Sequence, residues 1–128
     1  MEDRRMNEAL ERHWAASDVS DFLVEHEIYD EDAILDYPQS GERILGRSNI
    51  QSSRAAQSNQ KRFTIQRIIG CGDLWVTEYI LSYDGKPSYV VSIMEFQEGL
   101  VVHETQYLSE RFEPSPSRAG LVERTLAS

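Results

Sequence analysis

Three consecutive stretches decide the reading of this chain: Leu74-WVTEYILS-Tyr83, Ser88-YVVSIMEF-Gln97 and Leu100-VVHETQY-Leu108. Each is rich in Val, Ile, Tyr, Phe or Trp, residues that suit a pleated, half-buried surface. The links between them are Asp84-Gly85-Lys86-Pro87 and Glu98-Gly99. Aspartate-glycine and glycine supply the left-handed backbone of a tight hairpin. The stretch therefore predicts a three-strand antiparallel meander. Polar residues interrupt it at Thr77, Glu78, Ser92, Glu95, His103, Glu104 and Gln106, more than a plain core needs.

Working outward, residues 3–16 read as a helix, with Met6, Leu10, His13 and Trp14 on one face. A second short helix follows, capped by Asp18 or Ser20, with Val19, Phe22, Leu23 and His26 as its buried side. Tyr29-Asp30-Glu31-Asp32 reads as a polar turn before a short strand, Ala33–Tyr37, which Pro38 stops. Ile44-Leu45 is a brief strand or bend. Ser48 to about Ser58 is a polar helix with Ile50, Arg54 and Ala55 on one face, ended by Ser58-Asn59-Gln60. Arg62–Ile69 alternates like a strand, and Gly70-Cys71-Gly72-Asp73 reads as a turn. Beyond Leu108 the composition shifts to Glu113-Pro114-Ser115-Pro116-Ser117, and Arg118–Leu126 reads as a short helix or an arm. Helices first and antiparallel strands after is an α+β order: N-terminal helices packed on a curved, mostly antiparallel sheet that encloses a pocket. The expected division is one domain over residues 1–112 and a C-terminal Pro/Ser segment and arm over 113–128.

The totals narrow the partners. With 128 residues, 13 basic and 22 acidic, the formal charge is −9. That disfavours nucleic acid and anionic membranes, which require a positive field. The single cysteine, Cys71, excludes a disulfide within one chain and fits a reducing compartment. No apolar run reaches the length of a membrane span and the N-terminus has no signal-like core, so a cytoplasmic location is expected. Asp30, Glu31, Asp32 and Asp36 lack the ligand spacing of a zinc site or a calcium loop, and no metal or cofactor is expected.

The run from Tyr29 to Pro38, followed by Gly46-Arg47-Ser48-Asn49-Ile50, Gly72-Asp73-Leu74-Trp75, the Asp84-Gly85 hairpin and Glu95-Phe96-Gln97-Glu98-Gly99-Leu100-Val101-Val102, resembles the SnoaL-like branch of the nuclear transport factor two-like superfamily. The resemblance spans roughly residues 5–112. It implies a cone: a bent sheet with a pocket between sheet and helices, a frame that hosts isomerases, cyclases, dehydratases, epoxide hydrolases and proteins without chemistry. Carried over position by position, the steroid isomerases' base aspartate falls on Tyr37, their oxyanion tyrosine on His13 and their protonated aspartate on Ser92. The polyketide cyclases' acidic base falls on Gln106. None of these positions keeps the catalytic residue type.

Strand parity then sorts the polar residues, because side chains two apart share a face. Trp75, Thr77, Tyr79 and Leu81, then Val90, Ser92, Met94 and Phe96, then Val102, Glu104, Gln106 and Leu108 fall on the pocket side. The expected catalytic set is Glu104, His13 and Tyr37, with Glu104 as acid or base. The expected pocket is Trp75, Thr77, Tyr79, Ser92, Met94, Gln106 and Leu108, a composition for a small apolar or partly oxygenated molecule. A non-catalytic binding or accessory protein, or a pure association module, is the alternative. Val76, Glu78, Ile80, Val91, Ile93, Val101 and Tyr107 fall on the outer face, and with them a homodimer is expected.

Overall fold

The computed structural model describes residues 2–56 and 60–125. Helix α1 runs Asp3–Asp18 and α2 Phe22–His26; strand β1 is Tyr29–Tyr37 and β2 Glu42–Leu45; helix α3 is Arg47–Ala55. Four long strands follow: β3 Lys61–Cys71, β4 Leu74–Tyr83, β5 Lys86–Gln97 and β6 Leu100–Glu110. They form one six-stranded sheet in the order β2-β1-β6-β5-β4-β3. All neighbours are antiparallel except β1 with β6. The α+β class and the helices-on-curved-sheet frame follow from this order. No described helix is long and apolar enough to cross a membrane.

The meander closes through the two predicted turns, where Asp84 and Gly85, then Glu98 and Gly99, all take positive φ. Helix α1 lays Met6, Leu10 and Trp14 onto the inner sheet face, against Trp75, Tyr79, Met94 and Phe96. Gly70 is part of this packing. A Cβ there would stand 2.4 Å from the Leu74 carbonyl and 2.6 Å from the Trp75 ring, closer than any side chain can sit.

Several expectations need correction. Tyr29-Asp30-Glu31-Asp32 is the first half of β1, not a turn, because Tyr29 pairs with Val101 across the parallel seam. Gly70 and Cys71 end β3 and only Gly72 and Asp73 turn. Of the residues expected on the second helix's buried side, His26 is buried, but Leu23 and Val19 are exposed, Val19 lying before the helix, and Glu25 is buried as well. The cap there is Asp21, whose carboxylate accepts from Val24 N–H. Starting the helix at Phe22 turns Glu25 and His26 inward. Val101 faces the core rather than the outer surface. A register shift lets Glu95 pair with His103 and Phe96 with Val101, so Val102 is an extra residue and the alternation reverses across it. The helix end expected at Ser58 and Asn59 lies outside the described residues, as does Leu126. Pro116–Arg118 forms one 3-10 turn.

Candidate functional site

The site grows from the inner face of β4, β5 and β6. Ser92 and Gln106 face each other across β5 and β6, and Tyr79 lies one strand over. Their polar ends meet. The Gln106 amide nitrogen lies 2.8 Å from Glu104 Oε2, 3.1 Å from Ser92 Oγ and 3.3 Å from the Tyr79 hydroxyl, and Tyr79 and Ser92 are 3.0 Å apart. A carboxylate only accepts, so the bond to Glu104 fixes the amide with its nitrogen inward and its carbonyl oxygen as the remaining acceptor.

Behind Gln106 lies a charged cluster. Glu104 is fully buried. Its Oε1 accepts from the Tyr29 hydroxyl at 2.5 Å and from Arg54 Nη2 at 3.4 Å. Arg54 Nη1 also donates to the Tyr29 oxygen at 2.8 Å and stands 3.6 Å from Glu25 Oε2. One guanidinium therefore bridges two carboxylates brought from α2 and β6. Burial works against the charge on Arg54, but Tyr29, Glu104 and Glu25 outweigh it and hold its pKa well above the ordinary value. Burial and the neighbouring Glu104 push Tyr29 well up, against the pull of Arg54.

Two histidines flank this cluster. His13 Nδ1 bonds the Glu25 carbonyl at 2.5 Å and His26 Nδ1 bonds the Phe22 carbonyl at 2.8 Å. A carbonyl only accepts, so both Nδ1 atoms carry hydrogen. Burial, aided by nearby Arg54, drives the His13 pKa down to about 3, so His13 is neutral at physiological pH. Burial lowers His26 as well.

In front of Gln106 a cavity of about 540 Å³ opens between the β1–β2 turn and the end of the β4–β5 hairpin. Its apolar lining is Ile44, Leu81, Val90 and Leu108; Tyr37, Tyr79 and Gln106 form one polar group in it, and Gln39, Ser40, Glu42, Ser53, Tyr83 and Ser88 also line it. Burial raises the pKa of both tyrosines, so both stay protonated donors. At the rim, Gln39 clamps the Leu108 backbone with two bonds of 2.7 Å, accepting from its N–H and donating to its carbonyl.

The predicted residues thus separate into layers. Tyr37, Tyr79, Gln106 and Leu108 line the cavity, Leu108 at its partly exposed mouth. Ser92 and Glu104 lie directly behind Gln106. His13 is further back, edge-on to the Tyr29 ring. Trp75, Thr77 and Met94 are buried on the same sheet face but do not line this cavity; Thr77 Oγ1 accepts from the Trp14 indole at 3.1 Å. Three members went unpredicted: Tyr29, Glu25 and Arg54. An arginine four residues after Ile50, on a helix's apolar stripe, was a visible signal for Arg54. Glu25, three residues after Phe22 and beside His26, shares their helical face. Tyr29 gave no signal, hidden in an acidic run.

The SnoaL-like domain family matches residues 4–104. This chain belongs to the SnoaL-like family. The SnoaL-like chain is 54% identical to an NTF-2-like protein of unknown function from Burkholderia xenovorans LB400, with 97% of this chain and 98% of that chain covered and a TM-score of 0.88. A protein from Kribbella flavida DSM 17836, provisionally described as a ketosteroid isomerase, matches at 24% identity over 99% and 95% of the two chains, with a TM-score of 0.90. An LEH-like epoxide hydrolase from M. tuberculosis matches at 20% over 80% of each chain, TM-score 0.66. The last two likenesses show the fold alone. No curated protein sequence matches.

Proposed function

We propose that this SnoaL-like protein binds a small, largely apolar molecule bearing an oxygen, body against Leu81 and Val90 and oxygen toward Tyr37, Tyr79 and Gln106. The observation that carries this reading is a cavity of about 540 Å³ in which Ile44, Leu81, Val90 and Leu108 meet the polar group Tyr37, Tyr79 and Gln106. That volume and that lining fit a small-molecule site. Two protonated tyrosines offer donors and the oriented Gln106 carbonyl offers an acceptor, so an alcohol, phenol or ketone is matched. Glu104 serves here as a positioning residue, because both of its oxygens are engaged by Tyr29, Arg54 and Gln106.

A second reading is a proton-transfer enzyme of the isomerase, cyclase or hydratase kind. It is favoured by the burial of two carboxylates, one guanidinium and two imidazoles in one cluster, since such groups concentrate at functional sites. The fold's relatives named for epoxide hydrolysis and, provisionally, for ketosteroid isomerisation agree with it. Fluorescence titration with 2-naphthol tests the binding reading: the wild type should saturate, and Glu104→Gln, which removes the carboxylate that orients Gln106, should weaken binding by up to about tenfold. No saturable binding to the wild type refutes the cavity reading.

The outer sheet face supports a further element of the proposal, a homodimer. Val76, Ile80, Val91 and Ile93 are half-buried there and Tyr107 is exposed, an apolar set interrupted by the Glu78–Arg67 ion pair.

A further inference from the structure

A small recess of about 40 Å³ lies on the inner side of the main cavity, sharing Tyr37, Tyr79 and Gln106 with it and reaching Glu25 and Arg54. It is too small for a ring but exceeds the roughly 10–15 Å³ that one water needs. Glu25 is 2% exposed, and its Oε1 has no hydrogen-bond partner among the described residues. Two further acceptors lie near Glu25 without lining the recess. His13 Nε2 and His26 Nε2 are likewise without partners, and the Nδ1 bonds of both rings leave Nε2 as a lone pair. Arg54, which only donates, also lines the recess, with its Nη1 3.6 Å from Glu25 Oε2.

We infer that this recess holds a neutral O–H group between Glu25 and Arg54, donating to Glu25 Oε1 and accepting from the guanidinium. The inference rests on the cavity reading and names its deepest contact. An O–H is the smallest group that offers both polarities in the order the walls demand. A cation is opposed by Arg54 and Lys61, which both line the recess. An anion is opposed by Glu25. The O–H has two sources of the same chemistry: a bound water, or the hydroxyl of a ligand whose body fills the larger cavity. In both cases Glu25 determines specificity, favouring ligands that carry or can contact a donor.

The test uses the full chain, with 2-naphthol and 2-fluoronaphthalene as probes of closely similar shape with and without a donor. The wild type is expected to prefer 2-naphthol, and Glu25→Gln to reduce that preference about tenfold, as expected for loss of a charge-assisted bond. A high-resolution crystal structure of the ligand-free protein should show an oxygen within about 3.2 Å of Glu25 Oε1. In the 2-naphthol complex, the naphthol oxygen at that position identifies the ligand as the source, and a retained water identifies water. A recess without such an oxygen in both crystals overturns the inference. So does a 2-naphthol preference that Glu25→Gln leaves unchanged, while the cavity reading stands. A wild type that binds neither probe refutes the cavity reading instead, and the ligand-free crystal then decides the Glu25–Arg54 contact by itself.

Discussion

Replacing Arg54 by Met should destabilise the protein sharply. Methionine keeps much of the stem's volume and removes the charge. In the native cluster the guanidinium lies 3.4 Å from Glu104 and 3.6 Å from Glu25, with a third bond of 2.8 Å to the Tyr29 hydroxyl. Removing it leaves two buried carboxylates without a cation. Breaking a buried pair from one side costs about 3–5 kcal/mol, mostly as the penalty of the stranded charge. A chain of 128 residues loses roughly 4 °C of Tm per kcal/mol, so the expected fall is about 10–20 °C. Differential scanning calorimetry at pH 7 measures it. The cause is tested by a cycle with Glu104→Gln. If Arg54 and Glu104 act together, Glu104→Gln should cost at least 1 kcal/mol less in the Arg54→Met background than in the wild type. An Arg54→Met protein that melts within 3 °C of wild type, or an additive cycle, would refute the bridging role.

Other consequences follow from the same cluster and its surroundings. His13 is held neutral, with a pKa of about 3 against an ordinary value near 6.5. The unfolded chain therefore binds a proton between those pH values that the folded chain does not. Stability is full above about pH 6.5 and falls as the pH drops toward 3, by about 5 kcal/mol at the limit. Urea midpoints should decline from pH 7 to pH 4, and His13→Gln should flatten that decline; a parallel slope in the variant would be the contrary result. Leu81→Trp, placed in the cavity wall, should abolish saturable 2-naphthol binding with the near-native circular dichroism retained. Ile93→Lys should shift a dimer to monomer in light scattering if the outer face pairs two copies, and unchanged mass would count against that face.

The fold was legible because its strongest signals are local. Two hairpin turns and period-two alternation define β4, β5 and β6, and helical spacing of Met6, Leu10 and Trp14 defines α1. Parity correctly gathered Tyr79, Ser92, Glu104 and Gln106 on one face. It failed at Val101, where one extra residue in β6 reverses the pattern and nothing in a run of Leu-Val-Val marks which valine is extra. Tyr29 was illegible for a different reason. Its strand is made by a parallel pairing with β6, a contact about seventy residues away, while its neighbours Asp30, Glu31 and Asp32 have low strand propensity. Arg54 and Glu25 were readable as charges on buried helix faces, but only their meeting around Tyr29 gives them a role.

The cavity reading meets its most direct test in a crystal structure of the wild-type protein with 2-naphthol. The rings should lie against Leu81 and Val90 and the oxygen toward Tyr37, Tyr79 and Gln106, within hydrogen-bond distance of that polar set or of the recess beside it. A cavity that stays unoccupied at saturating probe, or naphthol bound with its oxygen toward the mouth at Leu108, would contradict it.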